Sequence, residues 1–187
     1  WSPDGKYLYF VSADAHELPA EVEKMHYHLL RVPFDPQTRS FGEQIDTLYN
    51  AHVSGGSASY PRISADGRYL LYTWSSYGTF PIWHEEADLA VMDLETGETV
   101  DISLWNDSRH ADSYHSWSSN GRWVIFGSRR LDGRYTRLYM AYLDKEGTPC
   151  KPFLLPQEDP RSNMWRLKSY NIPEFIDGEV EIKEVQL

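Results

Sequence analysis

Three stretches of this chain repeat one another, and the repetition limits the possible folds more than any other feature. WSPDGKYLYFVS from Trp1, ISADGRYLLYTWSS from Ile63 and WSSNGRWVIFGSRR from Trp117 align position by position. Each has an aromatic or branched apolar residue, a serine, Asp-Gly or Asn-Gly, a basic residue, an aromatic residue and a β-favouring apolar run. Such self-similarity marks an architecture of stacked units, none of which can bury its apolar surface alone. The copies begin further apart than the roughly 40 to 45 residues of a plain four-stranded blade, so the excess is expected as inserted loop.

Each copy reads as strands. Asp4-Gly5, Asp66-Gly67 and Asn120-Gly121 are tight-turn pairs in which glycine supplies positive φ, and each closes a hairpin between a first and a second strand. Second strands are predicted at 7–11, 69–73 and 123–127, and third strands at 28–35, 87–94 and 136–144, the latter ended by DPQTRS, ETGE and KEGTP. Shorter fourth strands are predicted at 44–49, 99–104 and 152–155. Four antiparallel strands, three times over, predict an all-β propeller with blades at about 1–55, 56–109 and 110–156. The 13 Tyr and 7 Trp agree, because aromatic residues favour strands.

The Trp-Ser-Pro-Asp-Gly-Lys core at Trp1 and the Leu-x-Val-x-Asp-Leu-x-x-Gly strand from Leu89 resemble the repeats of TolB-like propellers. That family is a branch of the WD-type repeats, found in bacterial envelope proteins and in the propeller domains of some peptidases. The resemblance covers residues 1–156. It departs from the pattern at Ala65 and Ser119, where the turn proline is missing, and at Ile63, which replaces the tryptophan. It implies a periplasmic or cell-surface location. Closed propellers have about 4 to 8 blades, so the chain is expected to be the carboxyl-terminal half of a six- to seven-bladed ring. It would be truncated just inside a blade's first strand. The alternative is that copies self-associate through exposed blade edges to complete a ring. Residues 157–187 read as a carboxyl-terminal extension. A short helix is predicted there with Asp159 as cap and Pro160 at its first position. A half-exposed strand with alternating Val180 and Ile182 follows, and either closes the ring or starts a further domain.

In a four-stranded meander the tight turns share one end of the blades and the long inserts share the other, where binding residues concentrate. The inserts run over residues 12–28 and 75–87 and the interblade connections over 50–60 and 106–115. All seven histidines, among them His16, His26 and His28, fall in these segments. The candidate binding residues are His52, Arg62, His84, Glu85, Glu86, Arg109, His110, Asp112 and His115. His115 is expected just ahead of an innermost strand, pointing to the channel mouth. Trp74, Trp83 and Trp105 either form an exposed aromatic cluster for a peptide or sugar ring or pack the loops onto the blades. PAEVEKM, led by Pro19, is expected to form one helical turn.

Other chemistries lack their signatures. A net charge of −10 argues against nucleic acid or an anionic membrane surface as partner. No run approaches the roughly 18 apolar residues of a membrane span. The single Cys150 has no partner for a bridge within the chain. There is no Gly-x-Ser-x-Gly elbow, P-loop, dinucleotide fingerprint or Ca²⁺ loop. The leading reading is a non-catalytic binding or scaffold propeller of the bacterial cell envelope that takes a protein, peptide or glycan on its long-loop face and needs no cofactor. The first alternative is an enzyme like the oligogalacturonate lyases, with His52, His84, His110 and His115 as metal ligands. The second is the gating propeller of a prolyl-oligopeptidase-like peptidase.

Overall fold

A computed structural model describes residues 1–179 of the chain. They form three four-stranded antiparallel sheets that do not close into a ring. In the first, β1 (Tyr7–Ser12) pairs with β2 (His28–Asp35), whose other edge takes β3 (Ser40–Phe41) and then β4 (Asp46–Tyr49). The second is a meander of β5 (Ser57–Ile63), β6 (Tyr69–Ser75), β7 (Asp88–Asp93) and β8 (Thr99–Val100). The third repeats it with β9 (Asp112–Trp117), β10 (Trp123–Ser128), β11 (Arg137–Tyr142) and β12 (Phe153–Leu154). Among the described residues no strand pairs with the inner edge of β1, so the first sheet reaches four strands only because its outer position is split.

The repeated Ser-x-Asx-Gly is a hydrogen-bonded device. Ser64 Oγ donates to Asp66 Oδ1 (2.5 Å) and accepts from Tyr69 N (2.9 Å), while Asp66 Oδ1 also accepts from Arg68 N (3.2 Å). Ser118 and Asn120 repeat these bonds toward Trp123 and Arg122, and Ser2 and Asp4 toward Tyr7 and Lys6. Gly5, Gly67 and Gly121 all hold positive φ. The turns form without proline at Ala65 and Ser119 because the side-chain bonds, rather than a fixed φ at the turn, set their geometry. They lie together at one end of the blades, where Arg122 Nη2 donates to Asp66 Oδ2 across the second and third blades at 3.0 Å.

Apolar alternation fills the space between sheets. Tyr69, Leu71, Leu89 and Val91 of the second sheet meet Val124, Phe126, Tyr139 and Ala141 of the third. On the opposite face Leu70 and Tyr72 pack with Leu29, Tyr9 and Tyr49 of the first. The outermost strands are shorter than predicted. Thr99–Leu104 yields only the two residues of β8, because the chain then enters a 3₁₀ turn at Ser103–Trp105 that buries Trp105 and aims its Nε1 at Cys150 O (3.0 Å). The predicted turn in PAEVEKM is a 3₁₀ turn at Val22–Lys24, further along than a Pro19-led start.

Ser64 is fully buried and serves both the turn and the N–H of buried Tyr69. We expect Ser64→Ala to cost about 1–3 kcal/mol, as for an orphaned buried donor, and Ser2→Ala, in the more open first turn, under about 1 kcal/mol. Urea unfolding of both variants measures the difference.

Candidate functional site

The long inserts interlock at the end of the blades opposite the tight turns. Tyr27 N donates to Ser57 Oγ (2.9 Å), Ala58 N to Tyr27 O (3.0 Å) and Gly78 N to Met25 O (2.5 Å), so the first blade's insert is tied to the second blade. Gly56 is required where this insert passes, since a Cβ there would lie 2.4 Å from Trp74 Nε1.

Most of the predicted polar residues hold this framework together. His115 lies within β9, not ahead of it, and is buried between blades. Its Nε2 donates to Tyr60 O (2.8 Å), Nδ1 lies 3.4 Å from Thr73 Oγ1, and burial lowers its pKa to about 4. It therefore does not point to the channel mouth: the inward alternation of β9 carries it into the interblade core. Asp112 is fully buried, pairs with Arg130 (2.7 Å) and accepts from Asp107 N (2.7 Å); burial holds its pKa above the ordinary carboxylate value. Arg130 also reaches Trp105 O and lies over Tyr139, so this pair clasps two blades. His110 Nδ1 meets Asp107 Oδ1 at 2.9 Å. His84 is buried with Nε2 on Thr79 O (3.0 Å) and Nδ1 3.5 Å from Glu86, while Glu86 accepts from Ser76 N (3.2 Å). His52 is exposed, 3.2 Å from Asp14 and edge-on to His28. Glu85 and Arg109 are exposed, and Arg62 pairs with Glu174 of the tail at 3.0 Å. The structure does not bring His52, His84, His110 and His115 together. Among the described residues no three His, Cys, Asp or Glu side chains are arranged to hold a metal.

Residues absent from that prediction line the mouth. Tyr60 and Tyr114 occupy equivalent places in β5 and β9, each at a bulge where the pairing skips a residue, with φ of 55° and 53°. Positive φ at a bulky side chain is strained, and the bulge re-aims each ring out of the sheet's alternation. The two rings meet edge to face at 5.5 Å, and burial, reinforced by Tyr114, pushes the Tyr60 hydroxyl up to about 12. Tyr60, Tyr27, Phe80 and Pro81 line a cavity of about 290 Å³, and Tyr114, Ile82, Trp83 and Arg129 line a second of about 280 Å³. Phe80 and Trp83 are 66% and 69% exposed, with the Arg129 guanidinium 4.3 Å above the Trp83 ring. Of the three tryptophans considered, Trp83 alone is presented to solvent. Trp105 is buried, and the half-buried Trp74 donates to the Tyr49 hydroxyl.

The tail completes the second cavity. Fully buried Arg137 donates to the carbonyls of Asn163, Arg166 and Lys168 at 2.7–3.0 Å. Thr136 brackets Ser169 and Tyr170, which line that cavity. The tail helix is the single turn α1 (Ser162–Trp165), because Asp159 spends its side chain on Arg161 N and its carbonyl on Ser162 N in a preceding turn. A four-residue helix at Ala51–Ser54 was not predicted. The predicted strand with Val180 and Ile182 lies outside the described residues.

Burial, followed by the Asp112 charge, raises Asp88 to about 6. Its folded pKa exceeds the unfolded value, so its contribution favours folding fully below about pH 4 and is lost as pH rises through about 6. Asp88→Asn should stabilise the protein by about 1–2 kcal/mol at pH 8, allowing for partial solvation, and by nothing below pH 4. Unfolding curves across that range test the sign.

Neither a family model nor any curated protein matches the chain. Solved structures do. TolB from Acinetobacter baumannii superposes with TM-score 0.51 at 17% identity, over 83% of this chain and 31% of that one. The β-propeller domain of the Trilobed protease from Pyrococcus furiosus gives 0.45 at 15% identity, over 82% and 41%. Hydrazine synthase from Kuenenia stuttgartiensis gives 0.46 at 13% identity, over 78% and 39%. The chain spans less than half the length of each. Three repeated four-stranded blades and the likeness to TolB establish the fold as a TolB-like β-propeller, whose three sheets do not close into a ring among the described residues.

Proposed function

We propose that the chain is a non-catalytic binding propeller of the bacterial cell envelope, periplasmic or at the cell surface, and that its long-loop mouth takes an extended apolar segment of a partner protein. The observation that carries this reading is the pair of adjoining aromatic cavities joined by the Tyr60–Tyr114 contact. Ligand sites are concave and mostly apolar with a few oriented polar groups. Here Val11, Phe80, Pro81 and Ile82 supply apolar wall, Thr136 and Ser169 supply hydroxyls, and Arg129 over Trp83 supplies one cation. Apolar walls suit peptide side chains better than the hydroxyl-rich face of a glycan. The titratable groups support catalysis less: His84, Glu86, His110, Asp112 and His115 are engaged in fastening loops and blades. The envelope location rests on the resemblance of the repeats to TolB-like propellers and on the shared fold. Among the described residues no helix is long and apolar enough to cross a membrane.

Selection from a displayed library of peptides of about 12 residues should enrich sequences carrying proline and aromatic residues. Phe80→Ala and Trp83→Ala, both at exposed side chains, should each weaken a selected peptide about tenfold, near the 1–3 kcal/mol of a lost aromatic contact. Selection without enrichment, or a selected peptide indifferent to both substitutions, contradicts the reading.

A further inference from the structure

The basic residues of this chain are unevenly placed. Against a net charge of −10, residues 129–137, from the end of β10 into β11, hold four arginines and one acid. The tail over 161–171 holds two arginines and a lysine with no acid. These two segments meet at the second cavity of the mouth. Arg129 lines it from the first segment and Ser169 and Tyr170 from the tail, and Thr136 N donates to Ser169 Oγ (3.1 Å) where the two join.

Part of this charge is neutralised within the protein. Arg130 pairs with Asp112, Arg161 with Asp159, and buried Arg137 with Asp132, whose other carboxylate oxygen already accepts from Arg134 N and Tyr135 N. Arg129 and Arg166 meet no carboxylate among the described residues, and both are held in place. Arg129 Nε and Nη2 donate to Arg134 O (3.2 and 2.7 Å), and its guanidinium lies 4.3 Å over Trp83. Arg166 lies 5.2 Å over the ring of Tyr170. An arginine steadied on an aromatic face loses little freedom on meeting an anion, and its planar fork matches a carboxylate. Arg129 spends both bonds on one carbonyl, so Nη1 keeps two N–H donors for a ligand. Ser169 Oγ, which accepts from Thr136 N, has its own proton to give.

We propose that the partner segment bound at the mouth is acidic on one side: its apolar part fills the first cavity, and Asp or Glu side chains beside that part lie over the second, paired with Arg129 and Arg166. This rests on the binding role proposed above and specifies its partner. Charge complementarity picks the occupant, because a local excess of cations on an acidic chain attracts an acidic segment and repels a basic one. A chain terminus brings one carboxylate. Two guanidiniums carried on different lining aromatics, Trp83 and Tyr170, suit a run of acids better.

Parallel selections on the parent chain and on Arg129→Gln test this, with random peptides of about 12 residues displayed between flanking sequences so that no free terminus is presented. The parent pool should gain Asp and Glu on one side of its proline and aromatic residues. The Arg129→Gln pool should keep the proline and aromatic residues and lose the acids. A synthetic peptide from the parent pool, blocked at both ends, should bind Arg129→Gln about tenfold more weakly, the scale of one hydrogen bond to a charged group. Arg166→Gln should weaken it about threefold, the scale of an exposed ion pair. Replacing the peptide's acids by Gln should weaken binding to the parent at least tenfold and to Arg129→Gln far less. The Arg166 side chain makes no hydrogen bond among the described residues, since Arg137 uses its carbonyl. Should Arg129→Gln not fold, Arg166→Gln and the Gln-substituted peptide carry the test, and indifference to both overturns the proposal. Proline and aromatic residues enriched without acids, or acids selected equally by both chains, also overturn it and leave the binding role standing. No enrichment on the parent removes both.

Discussion

A twisted four-stranded sheet with apolar side chains on both faces has no stable existence alone, and this constraint governs the rest of the structure. Every element either builds such a sheet or covers one. The Ser-Asx-Gly turns hold the inner hairpins to one geometry, so that Tyr69 and Leu71 on one blade arrive opposite Val124 and Phe126 on the next. Polar groups trapped in the joints are satisfied in place, as the Asp112–Arg130 pair and His115 show. Such groups contribute alignment of the blades more than net stability, because desolvation offsets much of their attraction.

This division of labour explains how far the sequence could be read. Hairpins and third strands were legible because their signals are local: a glycine that must take positive φ, and apolar alternation that stops at a turn. The outer strands were overestimated because Trp105 leaves its strand for a pocket beneath Cys150, a tertiary demand that no local pattern announces. The tail helix was legible only in part, since Asp159 caps a turn rather than the helix itself.

The candidate site shows the same limit from the other side. Histidines in loops suggested ligands, yet His84, His110 and His115 are committed to Thr79, Asp107 and Tyr60. The residues that shape the mouth carried a quieter signal. Ser59-Tyr60 and Ser113-Tyr114 stand at matched distances before the aligned Ile63 and Trp117, just upstream of where the repeat is most obvious. Their role depends on a bulge, and a bulge is a property of pairing rather than of sequence alone.

The proposed binding role lies at the long-loop mouth, at the other end of the blades from the Ser-Asx-Gly turns that fix the inner hairpins. The most direct measurement is backbone hydrogen exchange of the chain with and without a peptide selected on it. Protection should appear at residues 58–60, 79–83, 112–114 and 169–171, with the Asp4, Asp66 and Asn120 turns unchanged. Protection confined to those turns, with the mouth exchanging as freely as before, would contradict the account.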